Sequence, residues 1–224
     1  MMPRIPEPEL MDAVEQAEAY AGADFDGPNS AFVEHVMATL GGQPFAGRAL
    51  DLGCGPADIC LRLAARYPHA SIDALDGSAP MLDCARRALA AADPALAGRI
   101  RLIHALLPAQ DLSAAGYDLV VSNSLLHHLH DPGVLWDTVK QAGTRGARVV
   151  VMDLFRAAST AAAADIVARY AGEEPEVLRT DFYNSLLAAF TPDEVRAQLA
   201  AAGLGHLTVT TVSDRHLLVA GTLR

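Results

Sequence analysis

The segment Ala49-Leu50-Asp51-Leu52-Gly53-Cys54-Gly55-Pro56-Ala57 places a carboxylate two residues ahead of a pair of glycines. Gly53 and Gly55 let the backbone turn tightly and let a ligand approach the main chain. A carboxylate at that position disfavours a pyrophosphate and suits a cation, such as the ammonium of an amino acid. A dinucleotide motif would also want a glycine where Asp58 stands. About 20 residues further on, Asp76 ends the run Ile72-Asp73-Ala74-Leu75, and a carboxylate at that distance can accept both hydroxyls of a ribose. The other role open to Asp76 is that of a carboxylate at a helix N-terminus. A third group is Asn123-Ser124-Leu125-Leu126-His127-His128. Imidazole titrates near neutrality and can take a proton from a hydroxyl or an ammonium. Buried hydrogen bonding at a sheet end is the alternative for both histidines.

These residues need elements to position them. Ala49–Leu52 reads as a short buried strand feeding the glycine loop, and Ile59, Leu63 and Tyr67 mark the helix that follows. Ala70–Asp76 is a second strand, after which Ser78 can cap a helix over Pro80–Ala92, ended by Asp93-Pro94. Ile100–His104, Tyr117–Asn123 and Ala147–Asp153 are further strands, with a helix over Leu135–Ala142. Strands alternating with helices predict a parallel sheet covered on both faces, whose ligands sit outside the carboxyl ends of the strands. Before this core, Met1–Pro8 is expected to be extended and Leu10–Tyr20 helical. Gly27–Ser30 reads as a turn from which Asn29 or Ser30 caps a second helix carrying Phe32, Val33, Val36, Met37 and Leu40. After it, 154–190 breaks the alternation with two helices and a loop. Thr191-Pro-Asp-Glu194 is then a capping box, and His206–Val212 and His216–Gly221 form an antiparallel hairpin.

The glycine loop resembles the first motif of the class I S-adenosylmethionine (AdoMet)-dependent methyltransferases, acidic-x-Gly-x-Gly-x-Gly. Asp51, Gly53 and Gly55 match it, and Ala57 replaces the third glycine. The stretch Asp76-Gly77-Ser78-Ala79-Pro80-Met81-Leu82 resembles the second motif. The resemblance implies a Rossmann-like α/β fold: a doubly wound, mostly parallel sheet with a C-terminal antiparallel hairpin, helices on both faces and a helical cover. It implies a single domain over 1–224, divided into an N-terminal helical lid (1–47), an AdoMet-binding core (48–153), a helical acceptor cover (154–190) and a C-terminal helix and hairpin (191–224). Asp76, with Gly77 beside it, maps to the ribose and Met81 to the adenine. After the third strand the family places Gly-Asp, the Asp touching the adenine amino group. Here Ala105-Leu106 stands instead, so Leu106 is left to cover the ring, with Asp111 as a weaker substitute. Asn123 faces the transferring methyl, His128 is the candidate general base and His127 the second choice. Tyr20 maps to a tyrosine that closes over the cofactor. Arg156, Tyr170, Arg179 and Tyr183, with Phe182 and Asn184, form a polar-aromatic set in the insertion that would line the acceptor pocket. The implied activity is methyl transfer to a small molecule, releasing S-adenosylhomocysteine (AdoHcy). A synthase that alters AdoMet itself, or a non-catalytic AdoMet-binding partner protein, would preserve the same binding residues.

Composition narrows the setting. Of 224 residues 51% are hydrophobic and 20% charged, enough for a sizeable core. A net charge of -10 argues against a phosphate-binding surface, so neither nucleic acid nor an anionic membrane is an expected partner, while a homodimer stays open. Cys54, Cys60 and Cys84 are odd in number, without a Cys-x-x-Cys pair, which predicts neither a disulfide framework nor a zinc site. No ligand-spaced cluster of histidines and carboxylates is visible, so no metal is expected. The N-terminus carries prolines and glutamates where a secretory signal needs an apolar core, which points to a cytoplasmic protein.

Overall fold

The computed structural model describes residues 2–109, 112 and 116–224; Asp111 lies outside the described residues. The chain runs α1 (Val14–Gly22), α2 (Asp26–Thr39), β1 (Arg48–Leu52), α3 (Asp58–Arg66), β2 (Ser71–Asp76), α4 (Ala79–Ala91) and the single turn α5 (Pro94–Ala97). It continues through β3 (Ile100–His104), β4 (Tyr117–Asn123), α6 (Gly133–Ala142), β5 (Gly143–Leu154), α7 (Thr160–Ala171), α8 (Glu176–Ala188), α9 (Pro192–Ala201), β6 (Thr208–Thr211) and β7 (His216–Thr222).

The strands form one seven-stranded sheet in the order β3-β2-β1-β4-β5-β7-β6. The pairs among β1 to β5 are parallel, and β7 runs antiparallel to both β5 and β6. The predicted fold class is the one observed. The strand order reverses between β1 and β4, so the loops leaving these strands diverge and open a crevice at their carboxyl ends.

Both faces of the sheet are buried, and the alternation of side chains shows how. Leu50, Leu52, Val120, Val149 and Val151 pack on one face with Trp136 and Val139 of α6 and Val195 and Leu199 of α9. Ala49, Leu119, Val121, Val150 and Met152 pack on the other with Phe32 and Val36 of α2 and Ile59, Cys60 and Leu63 of α3. Near-continuous apolar strands are what a sheet covered on both faces requires.

Local signals place most boundaries. Ser78 Oγ accepts from Met81 N at the start of α4, and Thr191 and Glu194 form the reciprocal capping box of α9. Three expectations need correction. Gly27–Ser30 is not a turn but the first turn of α2. Pro28 is tolerated there because first-turn N–H groups have no helical partner, and Asp24 Oδ1 accepts from Asp26 N at 2.9 Å instead of a cap from Asn29 or Ser30. Leu10 is outside α1, which starts at Val14, because Ser78 Oγ holds the Met11 carbonyl at 2.7 Å in an extended arm. β5 begins at Gly143 rather than Ala147, since Gly143 already pairs with Tyr117.

One polar cluster ties β1, β2, β3 and β4 together. Asp73 accepts from Tyr117 Oη at 2.7 Å, from Arg101 Nε at 2.8 Å and Nη2 at 2.7 Å, and from Arg48 Nη2 at 3.1 Å. Burial opposes its charge, but the hydrogen bonds from Arg101 and Tyr117 and the two guanidinium charges hold its carboxyl below the ordinary 3.8. A group depressed in the folded state contributes stability above its unfolded pKa and loses it as pH falls through the folded value. Asp73→Asn is therefore expected to cost about 1–3 kcal/mol near neutrality. Denaturant unfolding at descending pH should show that difference shrinking below 3.8; a difference independent of pH would contradict the account.

Candidate active site

The carboxyl ends of β1, β2 and β4 open into a cavity of about 890 Å³. Its floor is the glycine loop. Gly53 N and Cys54 N donate to the Leu75 carbonyl at 2.8 and 2.9 Å, locking this loop onto the end of β2. Gly53, Gly55 and Ala57 all adopt left-handed backbone, at φ 75°, 51° and 68°. Ala57, standing where the motif has its third glycine, holds that conformation with its methyl fully buried.

Asp76 clasps the loop from the other side. Its Oδ2 accepts from Gly55 N and its Oδ1 from Ser78 N, both at 2.8 Å. Burial raises this carboxyl and the two backbone N–H bonds pull it back. Each oxygen keeps capacity to accept a further hydrogen bond, and Asp76 lines the cavity. Asp51 is 1% exposed and is pushed up to about 7, chiefly by burial; the Cys60 thiol, donating at 3.1 Å, opposes this and the Asp76 charge adds to it. A buried carboxylate with one thiol donor is short of positive charge.

The other cofactor candidates also reach the cavity. Met81 is buried beside Ala17 and Cys84, with Tyr20 against the same cluster. The Tyr20 ring lies 4.7 Å from that of Phe25, and burial, then the Asp76 charge, push its hydroxyl up to about 12. Leu106 is 61% exposed, an apolar side chain standing free at the rim. Gly77 sits between Leu106 and Leu10, where an added Cβ would lie 2.8 and 2.9 Å from their methyl groups. Asn123 ends β4 with its Oδ1 buried and without a hydrogen-bond donor among the described residues.

At the far end stand both histidines. His127 Nδ1 lies 2.5 Å from Asp153 Oδ1, and its backbone N–H reaches Oδ2 at 3.3 Å. Burial opposes protonation of this ring, but the Asp153 charge and hydrogen bond, with Glu7, raise its pKa. His128 behaves in the opposite way: burial, then the His127 charge, drive it down to about 3. Its Nδ1 lies 3.3 Å from the Pro8 carbonyl, and both rings line the cavity. The sequence missed two participants. Asp153, at the end of β5, meets His127 only because β5 lies beside β4. Glu7, in the N-terminal arm, returns over the histidines with Oε1 3.6 Å from His127 Nε2 and 3.4 Å from His128 Nδ1. The expectation that no histidine–carboxylate cluster exists is thereby corrected, since ligand atoms of Glu7, His127 and His128 lie within 4.8 Å of one another.

The insertion only partly meets expectation. Tyr170 reaches the cavity, its hydroxyl donating to Asp214 at 2.8 Å and its ring under the Arg215 guanidinium at 3.4 Å. Arg156 does not reach it: it is 7% exposed and bound to Glu194 at 2.6 Å, a strut between the end of β5 and α9. Arg179 is exposed on α8, and Tyr183 packs with Ala163 and Leu186 between α7 and α8. Leu178, Asp181, Phe182 and Ser185 line the cavity in their place, because they occupy the face of α8 turned toward it.

A family model described as a methyltransferase domain matches residues 50–149, from β1 to within β5. That stretch, a little under half of the chain, is similar to methyltransferase domains. An uncharacterized methyltransferase of Mycobacterium tuberculosis is 42% identical over 96 residues, 43% of each chain. A trans-aconitate 2-methyltransferase of Streptomyces avermitilis is 44% identical over 80 residues, 35% of this chain and 28% of that one. The chain thus spans less than half the length of these curated relatives. Among solved structures, an AdoMet-dependent methyltransferase from Aquifex aeolicus superposes with a TM-score of 0.66 at 13% identity, covering 93% of this chain and 98% of that one. The plantazolicin methyltransferase BpumL, solved with AdoHcy, gives 0.66 at 13% identity over 93% and 85%. No described helix is long and apolar enough to cross a membrane.

The two loop glycines differ in a way that can be tested. A Cβ on Gly53 would lie 3.0 Å from the Leu125 side chain, whereas one on Gly55 meets nothing within 4 Å. Gly55→Ala should cost only the left-handed backbone, roughly 1–2 kcal/mol. Gly53→Ala should cost more, by about 1 kcal/mol or above, through the added crowding. Equal losses in denaturant unfolding would refute this difference.

Proposed function

We propose that this chain transfers the methyl group of AdoMet to a small-molecule acceptor. The observation that carries the reading is one continuous cavity, with an acid-and-glycine end built like a nucleoside and amino-acid site and a histidine end that can face an acceptor. Asp76 would receive the ribose hydroxyls on its free lone pairs. Leu106 and Met81 would enclose the adenine, with Gly77 beneath. Asp51 and the orphaned Asn123 Oδ1 would compensate the methionine ammonium, and Tyr20 would close over it. The sulfonium is already a good methyl donor, so the protein's part is in-line positioning, a contribution of about 7–11 kcal/mol to the barrier.

The acceptor would occupy the space between the histidine pair, Tyr170, Phe182 and α8. Carboxylates Glu7, Glu174 and Asp181 face this end. Arg215, the arginine there among the described residues, is already engaged by Asp214 and Tyr170. This favours an acceptor with little negative charge, in contrast to the tricarboxylate named for the trans-aconitate methyltransferases. The N-terminal helices and 154–190 would form its cover.

AdoHcy should bind, and Asp76→Ala should weaken it by about 1.5–3 kcal/mol in calorimetry; unchanged affinity would reject the ribose assignment. Labelled AdoMet with a metabolite extract should release AdoHcy only when an acceptor is present. Consumption without acceptor would favour a synthase, and binding without turnover in any extract a non-catalytic partner protein. Hydrogen exchange in α1, α7 and α8 should slow on AdoHcy binding while the sheet changes little; unchanged exchange in those helices would count against the cover.

A further inference from the structure

We propose that Glu7, His127 and His128 form a binding site for one divalent transition-metal ion of the zinc type, open on its remaining positions to the acceptor chamber. The binding site stands on its own geometry, while its bearing on the acceptor rests on the methyltransferase reading above.

The first observation is an unanswered oxygen. The Glu7 side chain is nine-tenths buried, and its Oε1 has no hydrogen-bond donor among the described residues. Its Oε2 accepts from Ser185 Oγ at 3.3 Å, which fixes the carboxylate plane and aims Oε1 at the two rings. A buried carboxylate oxygen facing no donor is costly unless a cation answers it.

The second observation is the tautomer that Asp153 imposes. Its carboxylate takes the Nδ1–H of His127, so in the neutral ring Nε2 presents a lone pair. Nε2 lies 3.6 Å from Glu7 Oε1, a gap too long for a hydrogen bond, and a metal bound there would take the place of any proton on Nε2. His128 Nδ1 stands 3.4 Å from the same oxygen. Ligand atoms bound at about 2.0–2.1 Å around a tetrahedral ion are separated by about 3.3 Å. The two measured edges are close to that, and all three atoms lie within 4.8 Å of one another. A histidine ligand whose second nitrogen is held by a carboxylate is the usual outer arrangement of a metal site.

Neighbouring residues hold the constellation. The His127 and His128 rings lie 4.3 Å apart on a tight turn, in which His128 N bonds Leu125 O and Leu129 N bonds Leu126 O. Arg4 Nη2 donates to the carbonyls of His127 and Leu129 at 2.8 and 3.0 Å, pinning the arm that delivers Glu7. The Pro8 carbonyl lies 3.3 Å from His128 Nδ1; on metal binding, His128 carries its proton on Nε2. Two imidazoles and one carboxylate suit zinc or cobalt, whereas magnesium prefers oxygen alone. With three protein ligands the ion keeps a place for water or an acceptor oxygen.

The test uses untagged protein stripped by chelation and titrated with cobalt(II), followed by visible absorption and by competition with zinc. One equivalent per chain is expected, with the bands of a four- or five-coordinate ion. Glu7→Gln and His128→Ala should each weaken affinity by about 10- to 100-fold or more. His69→Ala, at an exposed position outside the trio, should leave it unchanged. AdoHcy calorimetry on the same samples reports folding and the cofactor site independently. Absence of one-to-one micromolar binding, affinity insensitive to Glu7→Gln and His128→Ala, or equal loss in His69→Ala would overturn the metal site. Cobalt binding without AdoHcy binding would instead overturn the methyltransferase reading and leave the metal site standing.

Discussion

Asp76 is the joint on which this architecture turns. A single half-buried carboxylate accepts the backbone N–H of Gly55, in the loop after β1, and of Ser78, at the start of α4. Two loops from adjacent strands are thereby held at one height, with Gly53 and Cys54 bonded in turn to the last residue but one of β2. Left-handed backbone at Ala57, which carries a Cβ, is the local strain that this tethering sustains. Removing the carboxylate would release the floor of the cavity as well as a ligand contact.

The rest of the cavity follows from the strand order. Because β1 and β4 are neighbours at the reversal point, Asn123 and the histidine turn come to stand across from the glycine loop. Because β5 is next, Asp153 arrives behind His127. Charge within the cavity is unevenly met: Asp51, Asn123 Oδ1 and Glu7 Oε1 are all short of donors or of positive charge. Each deficit lies where a bound group of positive charge or hydrogen-bond donors would remove it. Arg156 is paired with Glu194, and Arg62 with Asp58 and Asp26.

Much of this was legible in the residues alone. Strands β3 and β4 have the predicted ends, since apolar runs bounded by turn residues are local signals. The Ser78 and Thr191 caps were equally legible, because a cap depends on residues three apart. The same locality explains why Asp51, Gly53, Gly55 and Asp76 were found: they sit on two consecutive strands of one unit. Locality also produced the errors. Gly27-Pro28-Asn29-Ser30 has turn composition, yet Asp24 and the packing of Phe32 and Val36 extend the helix through it. The arginines of the insertion were expected to line the acceptor pocket, but a sequence does not say that Arg156 turns to Glu194 or which side of α8 meets the cavity.

By itself, then, the sequence determined the element types, the two-faced sheet and the acid-and-glycine loops, because period, capping and turn chemistry act over a few residues. Tertiary structure alone decided the acceptor end. Glu7 reaches His127 across 120 residues and Asp153 across 26. Such contacts depend on which strands are neighbours and on where the N-terminal arm returns. Those are properties of the whole packed chain, and the same packing sets Asp153 against His127 and leaves Glu7 Oε1 without a hydrogen-bond donor among the described residues.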